Sequence, residues 1–463
     1  MISKNPLIES KPYQGKCGLI IGMARSGFAA ARLLFHAGGK PLLYDKKSPE
    51  KINVPEDMRD PKDYAWFWGR EIDELYAQAD FAIVSPGIPP TSPDVTGARI
   101  AGLPITGELE FASQLLPCPV YAVSGTNGKT TMVSLLGDMF TKAGRIAHVA
   151  GNVGYPLSMA ALNASPDDLV AVEISSFQLE TVDRFRPNAA AMLNITPDHL
   201  DRHGSMAAYT ALKESMFKNM VADDVAVLNA DDATVAAMAP NINCRIAWFS
   251  AKREVSGGVF VKDGHIVVRW SGKEKTICEV AEVKLPGAHN LGNALAAVML
   301  ASVAEVPAPV IRHALRTFAG VEHRIEFVRE LNGVRYINDS KGTNSDSTIK
   351  AIESMTGPTV LISGGYDKHT SFDLLAAAIK KSPHIEHIVL IGETAERISQ
   401  ALRNENQTAV SFAGNLEEAV LQASRLSRFG ATVLFSPACA SFDMFSDYEQ
   451  RGRVYKDLVA HLG

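Results

Sequence analysis

Apolar residues come in short, dense runs along this chain, and most runs end in glycine or a small polar cluster. Cys17 to Ile21 is such a run (CGLII) and predicts a buried strand. Ala29 to His36 is rich in alanine and leucine and is stopped by Gly38 and Gly39, which predicts a helix. A second strand, KPLLYD, ends at Asp45, and a third, FAIVSPG, ends at Ser85. Strands alternating with helices predict a parallel α/β sheet. The stretch ITGELEFASQLLPCP predicts a helix and a turn that lead into the next block.

Val120 opens the second block. Met132, Leu135, Leu136, Met139 and Phe140 fall at helical spacing after a glycine-rich loop, and Gly144 follows as a C-cap. DLVAVEISSFQLE and NAAAMLNITPDHLD predict two more strands with polar residues at their carboxyl ends, where open α/β sheets bind ligands. Residues 244–285 alternate and turn like a small antiparallel insertion, and PGAHNLGNALAAVMLASVA returns to helix. A third block begins near Gly320, with GVRYINDSKGTN, PTVLISGGYDK, HIVLIGE and ATVLFSPACASFD as strand-then-loop units. The expected domains are therefore 1–109, 110–320 and 321–463.

Composition narrows the class without naming a reaction. The chain has 463 residues, 46% hydrophobic and 21% charged, as in a soluble globular protein. A net charge of -5 argues against nucleic acid or a membrane surface as the partner. Five scattered cysteines suggest reduced thiols in a cytoplasm rather than a disulfide framework or a zinc site. The first residues lack the apolar core of a secretory signal, and no apolar run approaches the ~18 residues of a membrane span.

The loop after Val120 carries the first chemistry. Gly125, Thr126, Asn127, Gly128, Lys129, Thr130 and Thr131 almost fit the nucleotide-binding P-loop, but Val123 stands where its first glycine belongs. Backbone N–H groups of such a loop point at an anion, and the following helix adds its positive end. Lys129 suits the β- and γ-phosphates of a nucleoside triphosphate, and the Thr130 hydroxyl suits Mg²⁺. Glu173, at the end of VAVE, is placed to be a further Mg²⁺ ligand, directly or through water.

The motifs SGTNGKTT, GNVGYP, VEISSFQLE, NITPDHLDRH, HNLGNALAA, EHRIE and NDSKGTN follow in order across nearly the whole chain. Together they resemble the Mur ligases, the ATP-dependent amino-acid ligases of the cell wall. The tail SPACASFDMFSDYEQRG most resembles the member that adds D-glutamate. The resemblance implies three α/β domains: a Rossmann-like UDP-binding domain, a P-loop ATPase-type central domain and a Rossmann-like C-terminal domain. It implies ATP with two Mg²⁺ ions, UDP-N-acetylmuramoyl-L-alanine as acceptor, D-glutamate as the incoming amine, and a cytoplasmic monomer. Transfer of the γ-phosphoryl to the acceptor carboxylate would give an acyl phosphate that the amine captures. Phosphoryl transfer of this kind needs positioning and charge neutralisation, so cations and metal ligands are expected rather than a nucleophile triad.

Residue by residue, the resemblance assigns His199 to a second Mg²⁺ and makes Lys213 the carrier of a carbamate formed from CO₂. Read alone, a lysine beside Tyr209, Leu212, Met216 and Phe217 snorkels outward, and a loop histidine is structural or exposed. The resemblance also gives Asn152, Ser175 and Gln178 to the acceptor, and Asn290 and Asn293 to the adenine side of ATP. Turn and cap duty are the competing readings for these, and for Ser176. Arg324 and Lys341 are cations suited to phosphate oxygens, and Asp339 to the ribose or to orienting Lys341. His323 either contacts the reacting groups or is solvated. Thr343, Lys368, Ser441, Phe442 and Tyr448 are expected to select the amino acid, with core packing the alternative for the two aromatics.

The first block has Gly22 and Gly27 in GMARSG, but Ala24 where a dinucleotide fingerprint wants its second glycine. The Ala24 Cβ argues against NAD and hence against an oxidoreductase. By resemblance this block grips UDP, with Arg25, Ser26, Asp45, Lys46 and Ser85. A P-loop switch would leave the first block and the amino-acid residues without a role. A folate polyglutamate ligase is expected to lack the first block, and no Asp-Asn-Pro-Arg signature of the diamino-acid ligases occurs.

Overall fold

The computed structural model describes residues 5–47, 52, 54–59, 63–69, 72–285, 287–367, 370–407 and 409–463. Three sheets carry the chain. The first is wholly parallel, in the spatial order Ala65–Trp68, Lys40–Asp45, Cys17–Ile21, Phe81–Val84, Ile105–Gly107. Its order reverses at Cys17–Ile21, so the ends of that strand and of Phe81–Val84 border a switch-point crevice. The helix after the first strand is Arg25–His36, one turn longer at its start than the alanine-rich run suggests.

The second sheet has nine strands. Its parallel part runs Val225–Asn229, Ala189–Met192, Val120–Ser124, Leu169–Glu173, Ala147–Gly151. The region expected as a small antiparallel insertion is instead an extension of this sheet. Arg245–Ser250 and Gly258–Lys262 continue the parallel pairing, and only His265–Trp270 and Lys273–Glu279 pair antiparallel beyond them. Val225–Asn229 supplies the edge on which they grow, and its neighbour Ala189–Met192 is fully buried.

These two sheets share one core and form one compact unit, which reaches Val283 and takes in Gly292–Thr317. Buried carboxylates fasten them. Glu110 accepts from the backbone N–H groups of Asp183, Arg184 and Phe185 (3.0, 3.0 and 2.9 Å), and Glu108 accepts from Ser158 N (2.7 Å). Three backbone donors offset the desolvation of Glu110, whereas Glu108, whose Oε2 has no partner among the described residues, has its pKa raised by burial.

The second unit, Lys284–Leu291 with Phe318–Gly463, holds a six-stranded sheet. Its order is Glu326–Leu331, Val334–Asn338, Thr432–Phe435, Thr359–Gly364, Ile385–Ile391, Val410–Phe412, with the first strand antiparallel. Among the described residues no helix is long and apolar enough to cross a membrane.

Candidate active site

The strand Val120–Ser124 is buried along its length, and Val123 has no exposure. The loop therefore begins at Gly125, which explains the displaced glycine. Gly125 has φ +144°, and a Cβ there would come within 3.0 Å of Leu193 Cβ. Asn194, just past the neighbouring strand, clamps the loop: its Oδ1 accepts from Asn127 N (2.9 Å) and its Nδ2 donates to Asn127 O (3.0 Å). The helix Lys129–Lys142 starts from Gly128 with no side-chain cap. A helix N-terminus behind a glycine loop, with its positive end toward the loop, suits an anion. Lys129 Nζ folds over the loop, donating to the carbonyls of Gly125 (2.9 Å) and Thr126 (2.6 Å).

Oxygen donors gather beside this loop. Glu173 is 1% exposed and accepts from Thr130 Oγ1 (2.7 Å) and from Asn152 Nδ2 (2.8 Å). It is no solvated surface acid. A buried carboxylate in contact with a hydroxyl at a P-loop fits a hard cation such as Mg²⁺. His199 lies near it in sequence order but is less enclosed. It takes a left-handed backbone (φ +52°), its ring stands edge-on to Phe177 at 4.8 Å, and its Nε2 is 3.6 Å from Asp198.

Lys213 does not snorkel. It is 1% exposed, on the helix Met206–Glu214 that Ser205 caps through Ala208 N. Its Nζ turns inward, donating to Gly125 O (2.9 Å) and reaching Ser124 Oγ (3.5 Å), and lies 4.9 Å from the Tyr209 ring centroid. Burial, and then the neighbouring Lys129 ammonium, pushes this amine well below the usual lysine range. Asp198 and Glu173 act in the opposite direction and do not prevail.

A cleft of about 500 Å³ opens at the switch point of the first sheet. Arg25, Ser26, Asp45, Lys46, Ser85, Asn152 and Gln178 all border it. Several of them also hold the cleft's own walls. Asp45 accepts from Met23 N (2.7 Å) and Lys47 N (2.9 Å), and Ser85 Oγ donates to Gly22 O (2.7 Å). Lys46 pairs with Asp94 (3.0 Å). Arg25 is exposed at the start of its helix, where Ala24 supplies no side-chain cap. Ser175 and Gln178 form a capping box for the short helix Ser176–Leu179, so cap duty is real for both. Ser176 Oγ instead meets His203 Nε2 at 3.0 Å.

In the second unit, Asp339 is buried, accepts from Ser436 Oγ (2.6 Å) and Ile325 N (3.2 Å), and is raised by burial to about 6. Arg324 opposes that rise. Lys341 Nζ donates to Tyr448 Oη (3.1 Å) and lies 4.8 Å from its ring centroid, so Tyr448 is tied to a cation rather than to the core. His323 is buried, with Nδ1 2.9 Å from Asn338 Nδ2, and is not a solvated histidine. Ser441 is buried, whereas Phe442 is 66% exposed with Tyr366 edge-on at 6.0 Å, which rules out core packing for Phe442. Thr343 is half-buried, its N–H bonded to Lys341 O (2.9 Å). Lys368 lies outside the described residues.

Comparison with known proteins bears on this arrangement. Residues 123–301 match the Mur ligase middle domain, and residues 323–439 match the domain described as "Mur ligase, glutamate ligase domain". The chain is 43% identical to the UDP-N-acetylmuramoylalanine--D-glutamate ligase of Thermoanaerobacter sp. (strain X514), over 97% of this chain and 99% of that one. The chain belongs to the Mur ligase family. The enzyme of the same name from Clostridioides difficile (strain 630) is 40% identical, over 97% and 99% of the two chains. The fold is also that of the UDP-N-acetylmuramate-alanine ligase of Thermotoga maritima, with a TM-score of 0.62 at 19% identity, covering 96% and 99%. The MurF ligase of Thermotoga maritima, solved in complex with ADP, gives 0.60 at 14% identity, covering 98% of each chain.

In this Mur ligase the loop's geometry makes Gly128 a sensitive position. Its φ is +89°, and an added Cβ would lie 2.2 Å from Asn293 Oδ1. Gly128→Ala is expected to cost about 1–3 kcal/mol of backbone strain and to push Asn293 away from the loop. Thermal denaturation with and without ATP should show a lower Tm and a smaller nucleotide-induced rise than in the parent protein.

Asn194, Lys47, Ser92 and Asp94 were not singled out from the sequence. The signal available for Asn194 is its place directly after a strand in LNITPD. The other three carry none, because they reach the cleft only through the folding of the first sheet.

Proposed function

We propose that this Mur ligase joins D-glutamate to UDP-N-acetylmuramoyl-L-alanine at the expense of ATP, as a cytoplasmic monomer in cell-wall precursor synthesis. The observation that carries the chemistry is the inward-turned Lys213 amine on the carbonyl of Gly125, beside Lys129 and the Thr130–Glu173–Asn152 chain. The choice of amino acid is supported by the names of the full-length relatives.

In this reading residues 1–109 form a Rossmann-like domain for UDP, residues 110–320 the P-loop domain for ATP, and residues 321–463 a Rossmann-like domain for the amino acid. Arg25, Ser26 and Lys46 face the diphosphate and nucleoside in the cleft, while Asp45 and Ser85 shape it. Asn152 and Gln178 hold the muramoyl-alanine part, and Ser175 supports Gln178. Asn290 and Asn293 serve the adenine, Arg324 and Lys341 the phosphates, and Asp339 the ribose or the local fold. Thr343, Lys368, Ser441, Phe442 and Tyr448 select the amino acid.

The acceptor's carboxylate oxygen attacks the γ-phosphorus, and ADP leaves. The amine of D-glutamate then attacks the acyl carbon, and phosphate departs with that carboxylate oxygen as the amine loses its proton. Lys129 neutralises charge on the transferring group, and the loop N–H groups fix its position. Thr130, Glu173, His199 and a carbamylated Lys213 would hold two Mg²⁺ ions, which neutralise phosphate charge when bound.

Phosphate release in the presence of ATP, Mg²⁺ and UDP-N-acetylmuramoyl-L-alanine tests the reading. D-glutamate is expected to support turnover, and L-glutamate, L-alanine, L-lysine and diaminopimelate are not. Equal turnover with any of the four, or release that ignores the amino acid, contradicts it.

A further inference from the structure

A chain of three polar side chains stands behind the cleft with no part in the chemistry so far. His148, in the strand Ala147–Gly151, is buried. Its Nε2 is 2.9 Å from Asp168 Oδ2, and its Nδ1 is 2.8 Å from Tyr155 Oη. Asp168 is also buried and accepts from Ser165 N (2.9 Å). A carboxylate oxygen accepts, so the His148 tautomer that suits both contacts carries its proton on Nε2, toward Asp168. That leaves Nδ1 as the acceptor for the Tyr155 hydroxyl. Burial, and then Asp168, pushes the Tyr155 phenol up to about 12, so it stays a donor.

The segment that this chain ties down is the one carrying Asn152. Gly151 N donates to Tyr155 O (3.0 Å), and Asn152 N donates to Glu173 O (2.9 Å). Gly151 (φ +104°) and Gly154 (φ +72°) let the loop press against neighbouring backbone, where a Cβ would meet Glu173 O at 2.2 Å and Val149 O at 2.6 Å. Gly151, Asn152, Gly154 and Pro156 border the cleft, and Asn152 Nδ2 reaches Glu173. One end of the loop is therefore held by Glu173 and the other by the tyrosine.

We propose that Tyr155, His148 and Asp168 are positioning residues whose hydrogen-bonded chain sets the Gly151–Tyr155 loop, and with it Asn152, against the acceptor. The proposal rests on the assignment of the cleft to the nucleotide-sugar acceptor. His148 and Asp168 are buried and anchor the chain, while Tyr155 at its outer end is 36% exposed; each member has its partner, which favours one geometry of the loop. Losing one neutral hydrogen bond in it weakens placement of the loop without removing any group that touches ATP.

Tyr155→Phe deletes a single hydroxyl. Its expected effect is an acceptor KM raised about fivefold to tenfold, with the KM for ATP within about twofold and an unchanged Tm. In a double-mutant cycle with Asn152→Ala the two effects should be markedly less than additive, because the tyrosine acts through the asparagine. His148→Ala should raise the acceptor KM in the same way and spare the KM for ATP, but with a lower Tm, because it empties a buried site and takes a partner from Asp168. Additive effects, equal rises in both KM values, or a lower Tm with unchanged KM values would overturn the proposal. Arg25→Ala separates the two levels of the argument. If it raises the acceptor KM while Tyr155→Phe does not, the chain of three is wrong and the cleft stands; if neither variant moves it, the cleft assignment has failed as well.

Discussion

Replacing Lys213 with alanine is expected to lower kcat by about a thousandfold, the scale of a lost electrostatic partner in a water-excluded site. The lysine is enclosed by Tyr209, Ser124 and Gly125, so its amine has no route to solvent along its own stem. Burial and Lys129 both disfavour the ammonium form, which favours the free amine that reaction with CO₂ requires. The carbamate would place anionic oxygens where Thr130 and Glu173 already gather. Lys213→Met should lose activity equally while keeping the volume of the stem, which separates chemistry from packing. Acetate should restore part of the lost rate to Lys213→Ala, and exhaustive removal of CO₂ should slow the parent enzyme. Full activity in either variant would refute a catalytic lysine. A defect that acetate and CO₂ both leave untouched would refute the carbamate.

Lys129→Ala is expected to cut kcat/KM for ATP by about a hundredfold to a thousandfold, with little change in Tm. The lysine's hydrogen bonds to Gly125 O and Thr126 O are local, three and four residues back along the loop. Exchanging them for water costs little stability, whereas no other side chain of the loop brings a positive charge to the phosphates. Steady-state kinetics against ATP and a thermal melt check both halves. A large fall in Tm with unchanged kcat/KM would make Lys129 a structural clamp instead.

Much of the parallel framework was legible because buried parallel strands are written as continuous apolar runs between glycines. CGLII, KPLLYD, VYAVS and LVAVE all fold where their pattern puts them. Arg245–Ser250 was not legible as a parallel strand, since its charged and half-exposed first residues blur the run. The odd P-loop was readable once Val123 is understood as the last turn inward of a buried strand. What the sequence could not decide was direction. Whether Lys213 pointed outward or inward depended on Gly125, 88 residues away. Whether Asp45 met a ligand or its own loop depended on Met23, across the first sheet. The His148 chain was invisible for the same reason, because its three members come together only when strands Ala147–Gly151 and Leu169–Glu173 pair.

The central claim is that an oxygen of the acceptor's carboxylate receives the γ-phosphoryl group before the amine arrives. Labelling both oxygens of that carboxylate with heavy oxygen and analysing the released phosphate tests this directly. The account predicts that every phosphate formed with ATP and D-glutamate carries one labelled oxygen, and that omitting D-glutamate prevents sustained release. Phosphate free of label, with the oxygen displaced from the carboxylate released as labelled water instead, would contradict the account.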